Sequence, residues 1–268
     1  MNQIQQPISR SKLRSFFGKE YYILKRKKDW WFGTKKWAKK GKLKDESHSV
    51  FHHKSMILRP LKDVDMYLQE NKRKNLEIAI SHLNEIVINP NETFSIWKNV
   101  GRPTKRKGYL EGLVLQSGKI AKDTGGGLCQ LGNLLFWIFA HSPLTVTERY
   151  RHGFDVFPDV NRKVPFGAGA TLSYNHIDLQ VKNEGEIIYK LNLWLDETHL
   201  HGELLSNVEI EDSYSIEERN HKIEQQAWGG YSRHNQIVKV KQSQNSTSES
   251  LLVENHAIMM YNPFLENK

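Results

Sequence analysis

The run from Leu131 to Ala140 constrains this chain more than any other stretch. Leu131, Leu134, Leu135, Phe136, Trp137, Ile138 and Phe139 leave no polar face except near Gly132 and Asn133. A helix that is apolar all round must be covered on every side, so it belongs inside a core. It is too short to cross a bilayer, which needs about 20 such residues. Pro143 stops it and pushes Ser142 toward extended geometry. Short strand-like segments surround this helix in the sequence. Together they predict an α+β fold, a mostly antiparallel sheet around one buried central helix.

The surrounding elements are read from periodicity and turn residues. Residues 9–28 are compatible with a helix. Lys39 to His48 reads as a loop and Phe51 to Leu58 as extended chain. Leu76, Ala79, Ile80 and Leu83 form one apolar stripe and predict a helix over Lys72 to Leu83. Ile86 to Ile88 and Thr93 to Ile96 read as strands on either side of the turn Asn89-Pro90-Asn91-Glu92. Gly108 to Leu115 and Lys119-Ile120 read as a hairpin around Gln116-Ser117-Gly118. Further strands are expected at Leu144–Arg149, Ala170–Tyr174, His176–Lys182, Glu186–Leu195, Leu200–Glu209 and Gln236–Lys241. Gln242 to Ser250 reads as a polar loop, and Leu252 to Tyr261 as a last strand broken by His256.

Charge divides the chain. Its net formal charge is +9, yet residues 1–44 hold 14 Lys or Arg against only Glu20 and Asp29. The rest is slightly acidic. Residues 1–48 are therefore expected to form a basic N-terminal arm ahead of an α+β domain at 49–268. Phe16, Phe17, Tyr21, Tyr22, Trp30, Trp31, Phe32 and Trp37 interleave with the lysines. That mixture suits an anionic membrane surface contacted through residues 1–44, with nucleic acid the less favoured partner. No apolar signal segment opens the chain, so a cytoplasmic protein with peripheral contact at the inner membrane face is expected.

Chemistry concentrates at Gly125-Gly126-Gly127-Leu128-Cys129-Gln130. Cys129 is the sole cysteine, which excludes an internal disulfide and a cysteine zinc cluster. It precedes the apolar helix directly. A thiol at a helix N-terminus loses its proton more readily, and the thiolate is the nucleophile. Glycines there permit a tight turn and close approach by a substrate. The opposing reading is a small buried hydrophobe. His52-His53 and His199-x-His201 are the other ligand-type pairs. Neither has a third partner at a recognised spacing, so neither a metal site nor a cofactor is expected.

Several segments resemble the VanW family. Asn89-Pro90-Asn91-Glu92-Thr93-Phe94-Ser95 is similar to its NPGETFSF segment. The glycine–cysteine motif with Leu134-Leu135-Phe136-Trp137 matches too, as do Glu148-Arg149 with His152, Ala170-Thr171 ahead of Ile177-Asp178-Leu179, and Gly229-Gly230-Tyr231. The likeness runs from about Asn75 to Tyr231. It is greatest to short members of glycopeptide-resistance gene clusters, which lack peptidoglycan-binding and G5 modules. The resemblance implies an accessory protein in a vancomycin-resistance or cell-envelope context and supplies no reaction. Where the family carries aspartate before Ala-Thr, this chain has Gly169.

The candidate catalytic residues are Cys129 as nucleophile, His152 as base and Gln130 as oxyanion donor beside local N–H groups. Asp155, Asp159, Asn175 or Asp178 could orient the imidazole in place of the missing carboxylate. Gly125, Gly126, Gly127, Glu92 and Arg149 are the candidate substrate contacts, for a small-molecule or peptide envelope precursor. Two functions follow: a thiol hydrolase or acyltransferase, or a non-catalytic protein that binds such a precursor or a partner enzyme.

Overall fold

The computed structural model describes residues 11–43, 47–58, 65–116, 119–156 and 164–264. Within them the order is α1 (Lys12–Phe32), β1 (Lys36–Trp37), β2 (Lys39–Lys40), β3 (His48–Met56), α2 (Met66–Leu83), β4 (Ile86–Ile88), β5 (Glu92–Ser95) and α3 (Ile96–Val100). After a 3-10 turn at Lys105–Lys107 come β6 (Glu111–Gln116), β7 (Lys119–Thr124), α4 (Cys129–Ala140), β8 (Thr145–Glu148), β9 (Phe154–Asp155) and β10 (Gln180–Lys182). The chain then continues through β11 (Tyr189–Leu195), β12 (His199–Ser206), β13 (Ser213–Gln225), β14 (Tyr231–Ser243) and β15 (Ser246–Met259). This is the expected α+β class.

The apolar run is the buried helix α4, packed against β3, β12 and β8. Leu131, Leu135, Phe136, Ile138 and Phe139 are fully enclosed, and each contributes about 2 kcal/mol through removal from water. Gly202 on β12 lets the helix approach, since a β-carbon there would lie 2.6 Å from Ile138 Cδ1. One sheet has the order β2-β4-β11-β12-β3 and a second β1-β5-β10-β8. On the second, Phe94 meets Phe139 edge-on at 5.2 Å between ring centres. A third sheet is β13-β14-β15-β9, and β6-β7 forms a separate hairpin. Pairing is antiparallel except for β1 with β5 and β9 with β15.

Several expectations are corrected. Helix α1 extends to Phe32, and α2 begins at Met66 rather than Lys72. The strand expected at Thr93–Ile96 ends at Ser95, whose Oγ accepts from the Lys98 amide at 3.1 Å and so starts α3. Residues 36–37 and 39–40, read as basic arm and loop, instead extend two core sheets, pairing with β5 and β4. Ala170–Tyr174 is not a strand and holds a single bridge, Ser173 to Ile177. The polar loop expected at 242–250 is a two-residue turn, Gln244-Asn245, between long paired strands. Strand β15 runs unbroken through His256, whose Nδ1 lies 2.6 Å from His234 Nδ1 on β14. Strand β13 had no sequence signal because its side chains are largely solvated and its alternation is polar. Residues 1–10 of the arm and the hairpin centre Ser117-Gly118 lie outside the described residues.

Candidate functional site

The glycine loop is explained by packing. The amides of Gly125, Gly126 and Gly127 donate to the carbonyls of Leu110, Asp123 and Leu113 at 2.9, 3.1 and 2.9 Å. Gly125 and Gly127 adopt φ of 79° and 91°, a conformation that favours glycine. Gly126 faces Gly112 on β6, and a β-carbon on Gly112 would lie 2.5 Å from the Gly126 carbonyl oxygen. Asn75, fully buried on α2, ties the arrangement together. Its Nδ2 donates to the Gly126 and Leu110 carbonyls at 2.9 and 3.0 Å, and its Oδ1 accepts from the Leu110 amide at 2.8 Å. The three glycine amides face protein acceptors rather than a cleft.

Cys129 begins α4 and is exposed. Its Sγ lies 3.8 Å from the Leu172 carbonyl. Solvent reaches the residue, yet protein atoms crowd the sulfur. That burial raises the thiol above its ordinary value, outweighing the lowering by hydrogen bonds to the Leu172 backbone and its own amide. The direction is opposite to that expected from a helix N-terminus alone.

His152 is tied through its backbone to the residue preceding Leu172. Its amide donates to Thr171 Oγ1 at 3.2 Å, and the Thr171 amide donates to the Tyr150 carbonyl at 2.8 Å. Segment 167–172 therefore runs between the chain after β8 and the first turns of α4. Asn133 of α4 accepts from the Ala170 amide at 2.9 Å. His152 Nδ1 is buried and has no hydrogen-bond partner among the described residues. Burial, with Arg151 adding, holds the imidazole below its usual range and so neutral, opposed by the Phe154 backbone and Asp155. The Cys129 sulfur and the His152 backbone amide thus abut the neighbouring residues Leu172 and Thr171, and no hydrogen bond joins the two candidate side chains.

The other candidates have partners elsewhere. Gln130 Nε2 donates to Ser55 Oγ at 2.9 Å and to the Met56 carbonyl at 2.8 Å, fastening α4 to the end of β3. Glu92 Oε2 accepts from the Asn89 amide and Nδ2 at 3.1 and 3.0 Å, closing the turn before β5. Arg149 donates to the Gly169 carbonyl at 2.7 Å and to the Gly167 carbonyl, and its guanidinium lies 5.1 Å from the Phe136 ring centre. Burial and the nearby Arg151 push it down to about 9, which still leaves it cationic at neutral pH.

Two of the possible orienting groups, Asp155 and Asp178, are also engaged. Asp155 pairs with Arg233 at 3.4 Å and accepts from Tyr261 Oη at 2.9 Å. Asp178 accepts from Ser95 Oγ at 2.5 Å and from the Trp97 and Leu179 amides at 3.2 and 2.9 Å. Asn175 is buried, with neither side-chain amide atom hydrogen-bonded among the described residues. Asp159 lies outside the described residues. A β-carbon at Gly169 would meet Asn133 Oδ1, so Asn133 occupies the room an aspartate at 169 would need.

Two other clusters stand apart. His52 Nε2 lies 3.3 Å from His201 Nδ1, and His201 Nε2 lies 2.6 Å from Asp196 Oδ2. A cleft of about 630 Å³ opens at the opposite end of α4 from Cys129, beside His141 and Phe51. Sequence reading missed Asn133, Thr171 and Asn75. Each carried a signal: Asn133 breaks the apolar run, Thr171 lies in a family-like segment, and Asn75 is a polar residue four before Ala79 on the apolar face of α2.

An exposed cysteine at the start of a buried helix and a strand-following histidine, both bordering one loop, make up the candidate site. Residues 71–205, about half of the chain, match the family described as VanW like protein, and this chain belongs to that family. It is 40% identical over 152 residues to the vancomycin B-type resistance protein VanW of Enterococcus faecalis, covering 57% of this chain and 55% of that protein. It is 30% identical over 118 residues to the uncharacterized protein YoaR of Bacillus subtilis, covering 43% of this chain and 36% of that protein. The chain thus matches about half, or less, of the length of these relatives. No solved structure matches it significantly.

Proposed function

We propose that this chain is an accessory protein of glycopeptide (vancomycin) resistance that acts on a cell-envelope precursor through the thiol of Cys129. The name of the Enterococcus faecalis relative supports the context, and the family match spans both Cys129 and His152. One observation carries the chemistry. A solvent-exposed cysteine opens a buried helix with its Sγ 3.8 Å from the Leu172 carbonyl, the adjoining Thr171 accepts the His152 backbone amide, and the His152 Nδ1 is buried with no hydrogen-bond partner among the described residues. A neutral imidazole is the form that accepts a proton. In the reaction the thiol proton passes to His152 as Sγ bonds to the carbonyl carbon of an amide or ester. The C–N or C–O bond then breaks, the proton passes from His152 to the leaving group, and a thioester remains for water or an amine to release. Because the thiol is held up, proton transfer has to accompany the attack, and the His152 ring must move to reach the sulfur.

A second reading, binding without turnover, is favoured by a specific observation: Gln130 and the three glycine amides are already bonded within the protein. They offer no ready oxyanion site. Mutants separate the readings. Cys129→Ala and His152→Ala should each remove the chain's contribution to a glycopeptide-resistance assay while remaining folded. The double change should be little worse than either single one, as for residues acting as a unit. Full activity in Cys129→Ala would replace the thiol reading with the binding one.

A further inference from the structure

The outer face of α1 carries an observation that the thiol site does not use. The helix docks on the body through one side only. Ile23 is 2% exposed, Arg26 forms a two-pronged pair with Glu148 at 2.5 and 2.6 Å, and Glu20 pairs with Arg102 at 3.1 Å. About a quarter-turn round the helix, Leu13, Phe17, Leu24 and Trp31 are 65–73% exposed. Their spacing of four and then seven residues keeps them on one line along the axis. Tyr21 and Phe32, also exposed, border that line. An amphipathic helix normally turns its apolar side inward. This one turns a second apolar stripe to solvent.

The charges around the stripe are basic except for Glu20, which lies three residues after Phe17 and four before Leu24 and is paired with Arg102. Lys28 falls within the stripe, Lys27 lies along one edge, and Arg14 and Lys25 lie along the other. The other acid on α1, Asp29, lies on the far side. We infer that this face docks the protein on an anionic lipid bilayer. Leu13, Phe17, Leu24 and Trp31 would sit in the headgroup–acyl boundary while the basic side chains reach lipid phosphates. A second copy of the chain would bring cations against cations. Nucleic acid offers phosphates but no apolar phase for Leu13 and Leu24. Among the described residues no helix is long and apolar enough to cross a membrane, so the contact would be peripheral. The docking is independent of the thiol reading, though Arg26 grips Glu148 four residues ahead of His152 and so ties the two faces together.

The test uses the full chain and two kinds of vesicle, pure phosphatidylcholine and a mixture containing phosphatidylglycerol. Co-sedimentation should be at least tenfold stronger with the anionic vesicles and should weaken with salt. Phe17→Ser with Leu24→Ser should reduce it at least tenfold, with an unchanged circular dichroism spectrum. Lys25→Glu with Lys28→Glu should abolish the preference for anionic lipid. Should the serine variant lose its fold, Trp31→Gln at the end of the helix supplies the same readout. Equal binding to both vesicles, no binding, or full binding by a folded apolar-face variant would overturn the proposal. So would a dimer formed without lipid and dissolved by Leu24→Ser, which would assign the stripe to a second copy.

Discussion

Gly126 and Gly112 lie back to back, so close that a β-carbon on Gly112 would come within 2.5 Å of the Gly126 carbonyl oxygen. The neighbouring atoms are backbone on both sides, so the contact has no flexible end that could give way. Gly126→Ala should therefore destabilise the protein by about 3 kcal/mol or more, at the upper end for overpacking. Gly229→Ala is the control. That glycine, unlike Gly126, has a positive φ, of 90°, but nothing lies within 4 Å of an added β-carbon. Its cost should stay near 1 kcal/mol. Urea unfolding midpoints measure both, and equal midpoints would remove the packing explanation of the motif.

The Cys129 thiol should ionise late. Iodoacetamide labelling of the native protein should proceed, because the residue is exposed. Its half-maximal rate should lie above pH ~8.5, the value for a free cysteine, because burial around the sulfur outweighs the backbone hydrogen bonds. A midpoint well below that value would show the helix N-terminus dominating. Complete protection from labelling would show that solvent does not reach the sulfur.

Asp178 should make stability depend on pH. Burial, with Glu148 adding, pushes its carboxyl from the usual 3.8 up to about 6, against the Ser95 hydroxyl, the Trp97 amide and Arg26. The folded value lies above the unfolded one. Its contribution is therefore complete below pH 4 and declines as pH rises through 6, by up to about 3 kcal/mol. Asp178→Asn should flatten the unfolding free energy between pH 4 and 7 relative to the wild type, whatever its absolute stability. Parallel profiles for the two proteins would contradict this.

Arg26 should hold α1 in place. The pair with Glu148 is partly shielded, with side chains 18% and 29% exposed. Arg26→Ala should weaken docking of the helix by about 1–2 kcal/mol, because Glu148 is left without its cation. Trypsin cleavage within α1 should then accelerate by roughly five- to thirtyfold. Unchanged cleavage would mean that Ile23 and its neighbours are sufficient to hold the helix.

Much of the architecture is legible in the residues themselves. A ten-residue run without a polar face can only be a buried helix, and α4 is one. The stripe of Leu76, Ala79, Ile80 and Leu83 likewise dictates α2, and the Asn89–Glu92 composition dictates the turn that Glu92 closes. The family pattern is written in local motifs. The partners of those motifs are not, because contacts between residues far apart in sequence leave no periodic trace. Nothing local reveals that Gly126 abuts Gly112, that Gln130 reaches back to Ser55, or that Asn133 occupies the space beside Gly169. Strand β13 escaped notice, and β14 and β15 were read short, because their solvated stretches lack apolar alternation and pairing defines their full length. The thiol shows the same division. Sequence placed Cys129 at a helix start and so implied an easily lost proton. The tertiary fold then crowded the sulfur with protein, and desolvation of a charge outweighs the partial charges of one helix end.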